Sequence, residues 1–394
     1  MNALSERAVQ GDLIGPAHGW ENSALPKMDA ARGALCSAVA ALVPAMQARA
    51  CALDEDGAFP SEDFSRLAEE NLLLAAFPER FGGLGLGSEA VGNEALSDLL
   101  RLLGRGHLAI GRLFEAHVNA VALLSRYGDT SQISRAARDA AQGQLFGLWV
   151  TDPREDGLRA DASGVLHGGK AFCSGAGYAG RAVVTAVAAD GTTRLAYLST
   201  ATARAQKLEG RMQGVRAAMT GRVSFEGCKI DEQDWIGTQG DYLREPDFSA
   251  GAWRTSAVTC GGLEALTELA MRHLVARGRA ADPHQQARMG RVWIAKETAL
   301  LWLERAANAA KSAFSGGDVS EIVATVNFAR IAIEAACLEA MTLIERSLGL
   351  AAFLHPDPIE RVRRDLATYL RQPAPDDVLT EAAGHIFRTR MGAA

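Results

Sequence analysis

Two short segments near the middle of the chain hold residue types that can do chemistry together. Trp149-Val150-Thr151-Asp152-Pro153 closes one β-rich run and Lys170-Ala171-Phe172-Cys173-Ser174-Gly175 closes another, so each sets a hydroxyl beside an aromatic ring. A flat redox ring is served by this combination. The aromatic offers a stacking wall, and the hydroxyls of Thr151 and Ser174 can donate to ring nitrogens and carbonyls as negative charge builds on reduction. The same types also occur without chemistry: an aromatic on a β face commonly packs into a core, and Thr and Ser commonly end strands.

Other chemistries find no anchor. The sequence contains no G-x-S-x-G nucleophile elbow, no H-E-x-x-H and no D-x-D-x-D-G calcium loop. Its six cysteines (Cys36, Cys51, Cys173, Cys228, Cys260 and Cys337) stand singly in apolar stretches. That spacing argues against structural zinc and for buried, reduced thiols in a reducing, cytoplasmic setting. Of eight dispersed histidines only His355, in FLHPDP, lies beside a turn where it could act, and a solvent-facing loop histidine is the simpler reading. Gly83, Gly85 and Gly87 in PERFGGLGLG crowd together, but they follow a helical segment and Pro78 rather than a strand. They predict a tight interhelix turn, not a dinucleotide fingerprint.

The elements that must position the two strand ends follow from composition and period. With 394 residues, 48% hydrophobic and 22% charged, the chain is globular and long enough for two to three domains. A net charge of −6 gives no basic field for nucleic acid or anionic lipid. Residues 1–19 lack the unbroken apolar core of a signal peptide. The longest apolar stretch, 107–124, is interrupted by Arg112, Glu115 and His117. Each charged group would cost about 2.5 kcal/mol or more at a bilayer centre, so no membrane span is expected.

The hydrophobic period changes twice, near 145 and near 245. After an extension over 1–27, residues 28–144 repeat at helical spacing, as in Phe64, Leu67, Leu72 and Leu73 and in Leu96, Leu99, Leu100 and Leu103. Over 145–245 short alternating or apolar runs read as antiparallel strands. There Asp190-Gly191 predicts a type I′ hairpin and Ser163-Gly164 a weaker one. Over 246–394 the helical period returns, with Leu263, Leu266 and Ala270, then Ile333, Cys337, Met341 and Ile344. Gly316-Gly317-Asp318 breaks two long helices, Pro356 and Pro358 precede another running from Ile359 toward Leu370, and Pro373 and Pro375 end it.

In that order the segments resemble the acyl-CoA dehydrogenase superfamily over roughly residues 30–390. FPERFGGLGLG is similar to its Pro-Glu…Gly-Gly-x-Gly turn, WVTDP to its V-T-E-P strand end, and GGKAFCSGA to its G-x-K-x-W-I-T-N strand. MQGVRAAMTGRVSFEGCKI resembles the strand that closes the barrel, ARGRAADPHQQ the arginine and glutamine segment, and PIERVRRDL the late Arg-Asp helix. The resemblance implies an α+β fold: an N-terminal helical domain, a central antiparallel β-barrel and a C-terminal four-helix bundle. It implies FAD, with Thr151 and Ser174 bonded to the isoalloxazine, Phe172 packed against it, and Trp149 and Val150 in the same strand end. Arg277 and Gln286 would make pyrophosphate-side contacts to a neighbouring subunit, so a homodimer or homotetramer is expected. Arg346 and Gly349 are what remains of a glycine turn that otherwise departs from the family. An acyl thioester would be the substrate, and an electron-transfer flavoprotein or another acceptor would take the electrons.

The departures bear on the reaction. The family's glutamate base lies about eight residues past the late Arg-Asp; here that position is Pro373, and YLRQPAPDD holds no glutamate. Asp376 and Asp377, a few residues on, are the candidate bases. The family's alternative base position falls at 252–254 and is not acidic either. Three readings follow: an FAD-dependent α,β-dehydrogenase of acyl-CoA or acyl-carrier thioesters, a flavin monooxygenase using reduced flavin and oxygen, or a subunit holding half a site. GVRAAMTGRVSF and AADPHQQARMG look closer to the monooxygenase branch, although that branch's histidine after Arg-Asp is missing until His385.

Overall fold

The computed structural model describes residues 30–208 and 212–392, and the expected extension over 1–27 lies outside them. The first part is helical: α1 (Ala30–Asp56), α2 (Ser61–Glu69), α3 (Leu72–Ala75), α4 (Asn93–Gly106), α5 (Leu108–Tyr127) and α6 (Thr130–Ala141). Side-chain caps set two of these starts. The His107 ring accepts from the Ala109 N–H at the start of α5, and Asp129 with Gln132 makes a capping box on α6. Between α3 and α4 the glycine run forms the expected turn, with Gly82, Gly85 and Gly87 at positive φ.

The middle of the chain gives β1 (Phe146–Trp149), β2 (Arg159–Ala160), β3 (Leu166–His167), β4 (Gly169–Cys173), β5 (Arg181–Val187), β6 (Thr193–Ser199), β7 (Arg204–Lys207), β8 (Gly221–Ser224) and β9 (Trp235–Ile236). These strands do not close into the expected antiparallel barrel. Among the described residues they form two sheets, one ordered β3-β2-β5-β6-β9 with β1 also on β5, the other β4-β8-β7. Both β1 and β2 pair in parallel with β5. The chain leaves β1 at Val150, builds β2 to β4 and only then returns to lay β5 beside β1, a crossover long enough for parallel pairing. Trp149, Leu158, Cys173, Val184, Leu198 and Phe225 fill the space between the sheets.

Both hairpin turns fall where expected, but neither is type I′. At 190–191 the Ala188 N–H donates to the Thr192 carbonyl and the Gly191 N–H to Ala188, so three residues form the loop and only Gly191 has positive φ. Residues 162–164 repeat the arrangement around Gly164. A type I turn followed by one left-handed glycine needs a single permissive position, whereas type I′ needs two.

The last part comprises α7 (Asp247–Ala250), α8 (Ala252–Ala276), α9 (Pro283–Ser312), α10 (Val319–Leu348), α11 (Pro358–Tyr369) and α12 (Pro375–Met391). Asp282, Asp318 and Asp357 cap α9, α10 and α11, with proline following in the first turn of α9 and α11. Helices α8, α9 and α10 pack on one another and α12 lies along α10. One core joins both helical parts: Leu96, Leu99 and Leu103 of α4 share it with Ala257, Leu263 and Leu266 of α8. Gly104 and Gly261 permit that seam, since a Cβ on either would collide with the carbonyl of Val258 or Arg101. Arg101–Glu264 (2.6 Å) and Arg105–Glu268 (2.9 Å) line its edge.

By length and composition α1 and α5 could each cross a bilayer, and α1 is a stretch the sequence reading did not single out. Both are built into the fold instead. α5 is mostly buried inside the protein, and α1 places Cys36, Val39, Val43, Met46 and Ala50 on one buried stripe.

Candidate functional site

The strand ends are positioned by α5. His117 sits fully buried on that helix, its Nε2 donating to the Leu73 carbonyl (2.9 Å) and its Nδ1 accepting from the Phe146 N–H (3.1 Å), which fixes where β1 begins. Burial pushes this imidazole down to about 4, so it is neutral at pH 7, as its one donor and one acceptor require. Three bonds then stitch the strand ends together. The Ala171 N–H donates to the Thr151 carbonyl (2.8 Å), the indole N–H of Trp149 donates to the Ser174 carbonyl (2.9 Å), and Lys170 Nζ donates to Asp152 (2.5 Å). Lys170 is buried and donates also to Thr185 (2.8 Å); burial lowers its pKa against the pull of Asp152.

The register of β4 shifts between Lys170 and Cys173, and Phe172 takes φ 53° in that irregularity. A bulge of this kind re-aims a side chain. Phe172 is accordingly 61% exposed, while Ser174 is buried with its Oγ 3.4 Å from Thr220 Oγ1. Thr151 is exposed and Val150 half-buried. The structure thus brings Thr151, Phe172 and Ser174 together at the surface end of both sheets. Trp149 stands behind them, 2% exposed in the core, holding the strand ends in place.

A second group gathers at one end of the long helices. Arg277 is the C-cap of α8, Gln286 lies in the first turn of α9, and Arg346 and Gly349 end α10. All four are exposed. The neighbouring Gln285 is buried and donates to the Ser347 carbonyl (3.3 Å), tying the start of α9 to the end of α10. Asp376 and Asp377 form a third location, exposed on the first turn of α12. Pro375 does not simply end the preceding helix; it opens this one, where its missing N–H costs nothing. His355 lies by Glu360 at the start of α11, within 3.4 Å, away from the strand ends.

The sequence reading missed a polar cluster behind the strand ends. On α5, Glu115 is 3% exposed and accepts from Arg112 (2.5 Å), from Thr255 (3.2 Å) and from Asn119. Arg254 on α8 donates to Asn119 Oδ1 (2.8 Å) and to the Gly87 carbonyl (3.3 Å), both neutral acceptors. Its Nε is buried without a hydrogen-bond partner, and the hydroxyl of Tyr369, the last residue of α11, is buried against the Thr255 side chain. Burial pushes Arg254 down to about 10 despite Glu115 and Asp247, and pushes the Tyr369 phenol well up. The cluster adjoins the strand ends through Leu113, whose Cδ2 lies 3.2 Å from where a Cβ on Gly175 would sit. Its sequence signal was the 112, 115, 119 spacing of polar groups on an otherwise apolar helix.

A different ionic cluster secures α11. Asp54 of α1 meets Arg364 (2.6 Å) and Arg216 (3.6 Å), Arg364 also meets Glu360 (2.7 Å), and Arg361 meets Asp365 (3.1 Å). Asp365 further accepts from the Val215 N–H (2.6 Å), and burial pushes its carboxyl up to about 6 against Arg361. From Val215 the chain runs directly to Ala218, whose carbonyl accepts from the Gly175 N–H (2.8 Å). The late Arg-Asp motif is therefore a brace that reaches the strand ends.

Residues 33–144 match the model of the acyl-CoA dehydrogenase N-terminal domain. The acryloyl-CoA reductase (NADH) of Anaerotignum propionicum is 26% identical over 207 residues, 48% of this chain and 51% of that protein, so the match spans about half of that relative. Butyryl-CoA dehydrogenase from Megasphaera elsdenii superposes with a TM-score of 0.77 at 17% identity, covering 92% of this chain and 99% of that one. A complex of TdsC from Paenibacillus sp. A11-2 with FMN and indole superposes with a TM-score of 0.77 at 18% identity over 91% and 98%. That enzyme is a dibenzothiophene monooxygenase. The domain match thus covers the first helical part, and the superpositions show that the described chain as a whole shares the fold of these proteins.

Proposed function

We propose that this chain is a flavin-dependent oxidoreductase that binds FAD at the strand ends and oxidises an acyl thioester of coenzyme A or of a carrier protein across its α,β bond. One observation carries the reading: Thr151, the bulge-presented Phe172 and Ser174 converge on strand ends that Trp149 and Lys170 make rigid. These residues suit a flavin, with Thr151 and Ser174 donating to the ring, Phe172 offering its face, and Gly175 at φ 75° letting the backbone approach. Arg277 and Gln286, with Arg346 and Gly349, would serve the pyrophosphate end from a neighbouring subunit. A bound flavin supplies the hydride acceptor. The chain's own share is to orient that ring, to exclude water through α5, and to take the α proton, a task assigned to Asp376 with Asp377 as its neighbour. The match to a protein named for an acryloyl thioester supports the substrate class.

The purified protein should be yellow, and butyryl-CoA should bleach it anaerobically. Asp376→Asn should keep the flavin and lose at least a hundredfold in reduction rate. A colourless protein that refuses added FAD would sink the reading. A second reaction has its own support. Asp376 and Asp377 are both exposed, and Glu115 is already engaged by three donors, which favours a flavin monooxygenase that needs no α-proton base. Oxygen uptake dependent on an added flavin reductase, with Asp376→Asn unimpaired, would select it.

A further inference from the structure

A third hydroxyl stands at the strand ends besides those of Thr151 and Ser174. Thr220 directly precedes β8, whose Gly221 pairs with Cys173 of β4. One step beyond that pair the half-buried Thr220 faces the buried Ser174, with Thr220 Oγ1 and Ser174 Oγ 3.4 Å apart. The chain reaches Thr220 by a costly path. Val215 (φ 54°) and Met219 (φ 48°) are both left-handed non-glycine residues, and for a branched side chain such as Val215 that conformation is a genuine outlier. The segment is held there from both ends. On α11, Asp365 accepts from the Val215 N–H (2.6 Å), Arg364 donates to the Gln213 carbonyl, and Gly214 lies so close that a Cβ would sit 2.5 Å from the Arg364 carbonyl. At the strand ends, the carbonyls of Ala218 and Met219 accept from the N–H groups of Gly175 (2.8 Å) and Ala176 (3.2 Å). The left-handed step at Met219 comes immediately before Thr220, so this anchored segment fixes where the Thr220 side chain leaves the backbone. Strain of this kind persists only where the surroundings over-determine it, and it collects at ligand sites.

We propose that Thr220 is a positioning residue for Ser174: its hydroxyl donates to Ser174 Oγ and so directs the single Ser174 proton toward the flavin ring. A serine hydroxyl has one proton and two acceptor lone pairs. When Ser174 donates to a ring, its oxygen is left as an acceptor, and the Thr220 hydroxyl is the donor that faces it. Two hydroxyls in series polarise one another, and the gain is largest when the final acceptor carries negative charge. Thr220 therefore matters more for the reduced ring than for the oxidised one. The separation of 3.4 Å is longer than an ordinary O–H···O bond of about 2.8 Å, and slack of this size is taken up when a ligand tightens the site. The ring as final acceptor rests on the flavin reading, whereas the pairing of the two hydroxyls does not.

The test is a double-mutant cycle that combines Thr220→Val, which keeps the shape and loses the hydroxyl, with Ser174→Ala. Fluorescence titration reads the affinity for oxidised FAD, and anaerobic equilibration with a reference dye reads the preference for reduced over oxidised FAD. Thr220→Val should lower that preference about threefold while changing the affinity for oxidised FAD by less than about twofold, and Thr220→Ser should keep the wild-type preference. In the Ser174→Ala background Thr220→Val should change nothing further. An equal loss for both redox forms, or an effect undiminished without Ser174, makes Thr220 a merely structural residue and overturns the proposal while the flavin reading survives. Thermal melting of the four flavin-free proteins gives a second readout. The two substitutions should be non-additive there because they remove the same contact, and strict additivity overturns the pairing. If melting is non-additive but the wild type refuses FAD, the pairing of Thr220 with Ser174 stands and the flavin reading falls.

Discussion

Two buried charge clusters flank the strand ends, and they differ in completeness. The one on α11 sets Arg216, Arg361 and Arg364 against Asp54, Glu360 and Asp365, three cations and three anions within one network. The one on α5 and α8 sets Arg112 in a direct pair with Glu115, while Arg254 feels Glu115 and Asp247 only from beyond ion-pair distance. A balanced buried network is closed and serves the fold, because its charges already have partners. An unbalanced one keeps a group in a costly state. The contrast teaches that burial and charge do not by themselves say what a cluster does; how completely its charges are matched decides what it contributes to the fold.

The largest effect should come from opening the closed cluster. Arg364→Met leaves Asp54, 3% exposed, and Glu360, 9% exposed, without their main counterion. Breaking a buried pair from one side costs roughly 3–5 kcal/mol. Urea denaturation should show a loss in that range, with the slope unchanged. A loss below about 1 kcal/mol would mean the network is solvated and the contrast is overstated.

A smaller, pH-dependent effect should come from Asp365. Its carboxyl is pushed up to about 6 in the fold, against an ordinary value of 3.8. A raised pKa means the folded state binds the proton more tightly, so this group stabilises the fold fully below about pH 4 and its contribution is lost as pH rises through about 6. Asp365→Asn, which cannot ionise, should flatten the stability profile between those values. His117 acts with the opposite sign: pushed down to about 4, it contributes fully above about 6.5 and loses that contribution as pH falls toward 4. A melting-temperature series from pH 4 to 7 on Asp365→Asn and His117→Phe separates them, and a wild-type profile unchanged by either variant would refute both assignments.

Much of the framework was legible in local sequence. Period-3.6 runs gave the helices, Gly316-Gly317-Asp318 gave the break between α9 and α10, Pro356 and Pro358 gave the start of α11, and the glycines at 164 and 191 gave the hairpins. The strand ends at Trp149 and Cys173 were legible as well, because each closes a short β-rich run. What was not legible depended on distance. The parallel pairing of β1 with β5 is set after three intervening strands, so no local pattern announces it. Arg254 and Asn119 meet across 135 positions and Arg364 and Asp54 across 310. From sequence, Arg112 and Glu115 served only as charges that interrupt an apolar run; their role depends on which helices pack beside α5.

The smallest stability effect should come from the open cluster, where it is most diagnostic. Arg254→Met strands the Asn119 Oδ1 and Gly87 carbonyl acceptors, which costs stability, but it also removes a covered charge that no carboxylate matches, which restores some. The methionine side chain keeps most of the apolar stem that packs there. These terms oppose one another, so the net change should lie within about 1 kcal/mol of zero in the ligand-free protein, several times less than for Arg364→Met. Urea denaturation of the two variants side by side, in buffer free of carboxylates, measures the difference. If Arg254→Met were as damaging as Arg364→Met, Arg254 would be a structural brace like Arg364, and the distinction between a closed network and an unmatched one would fail.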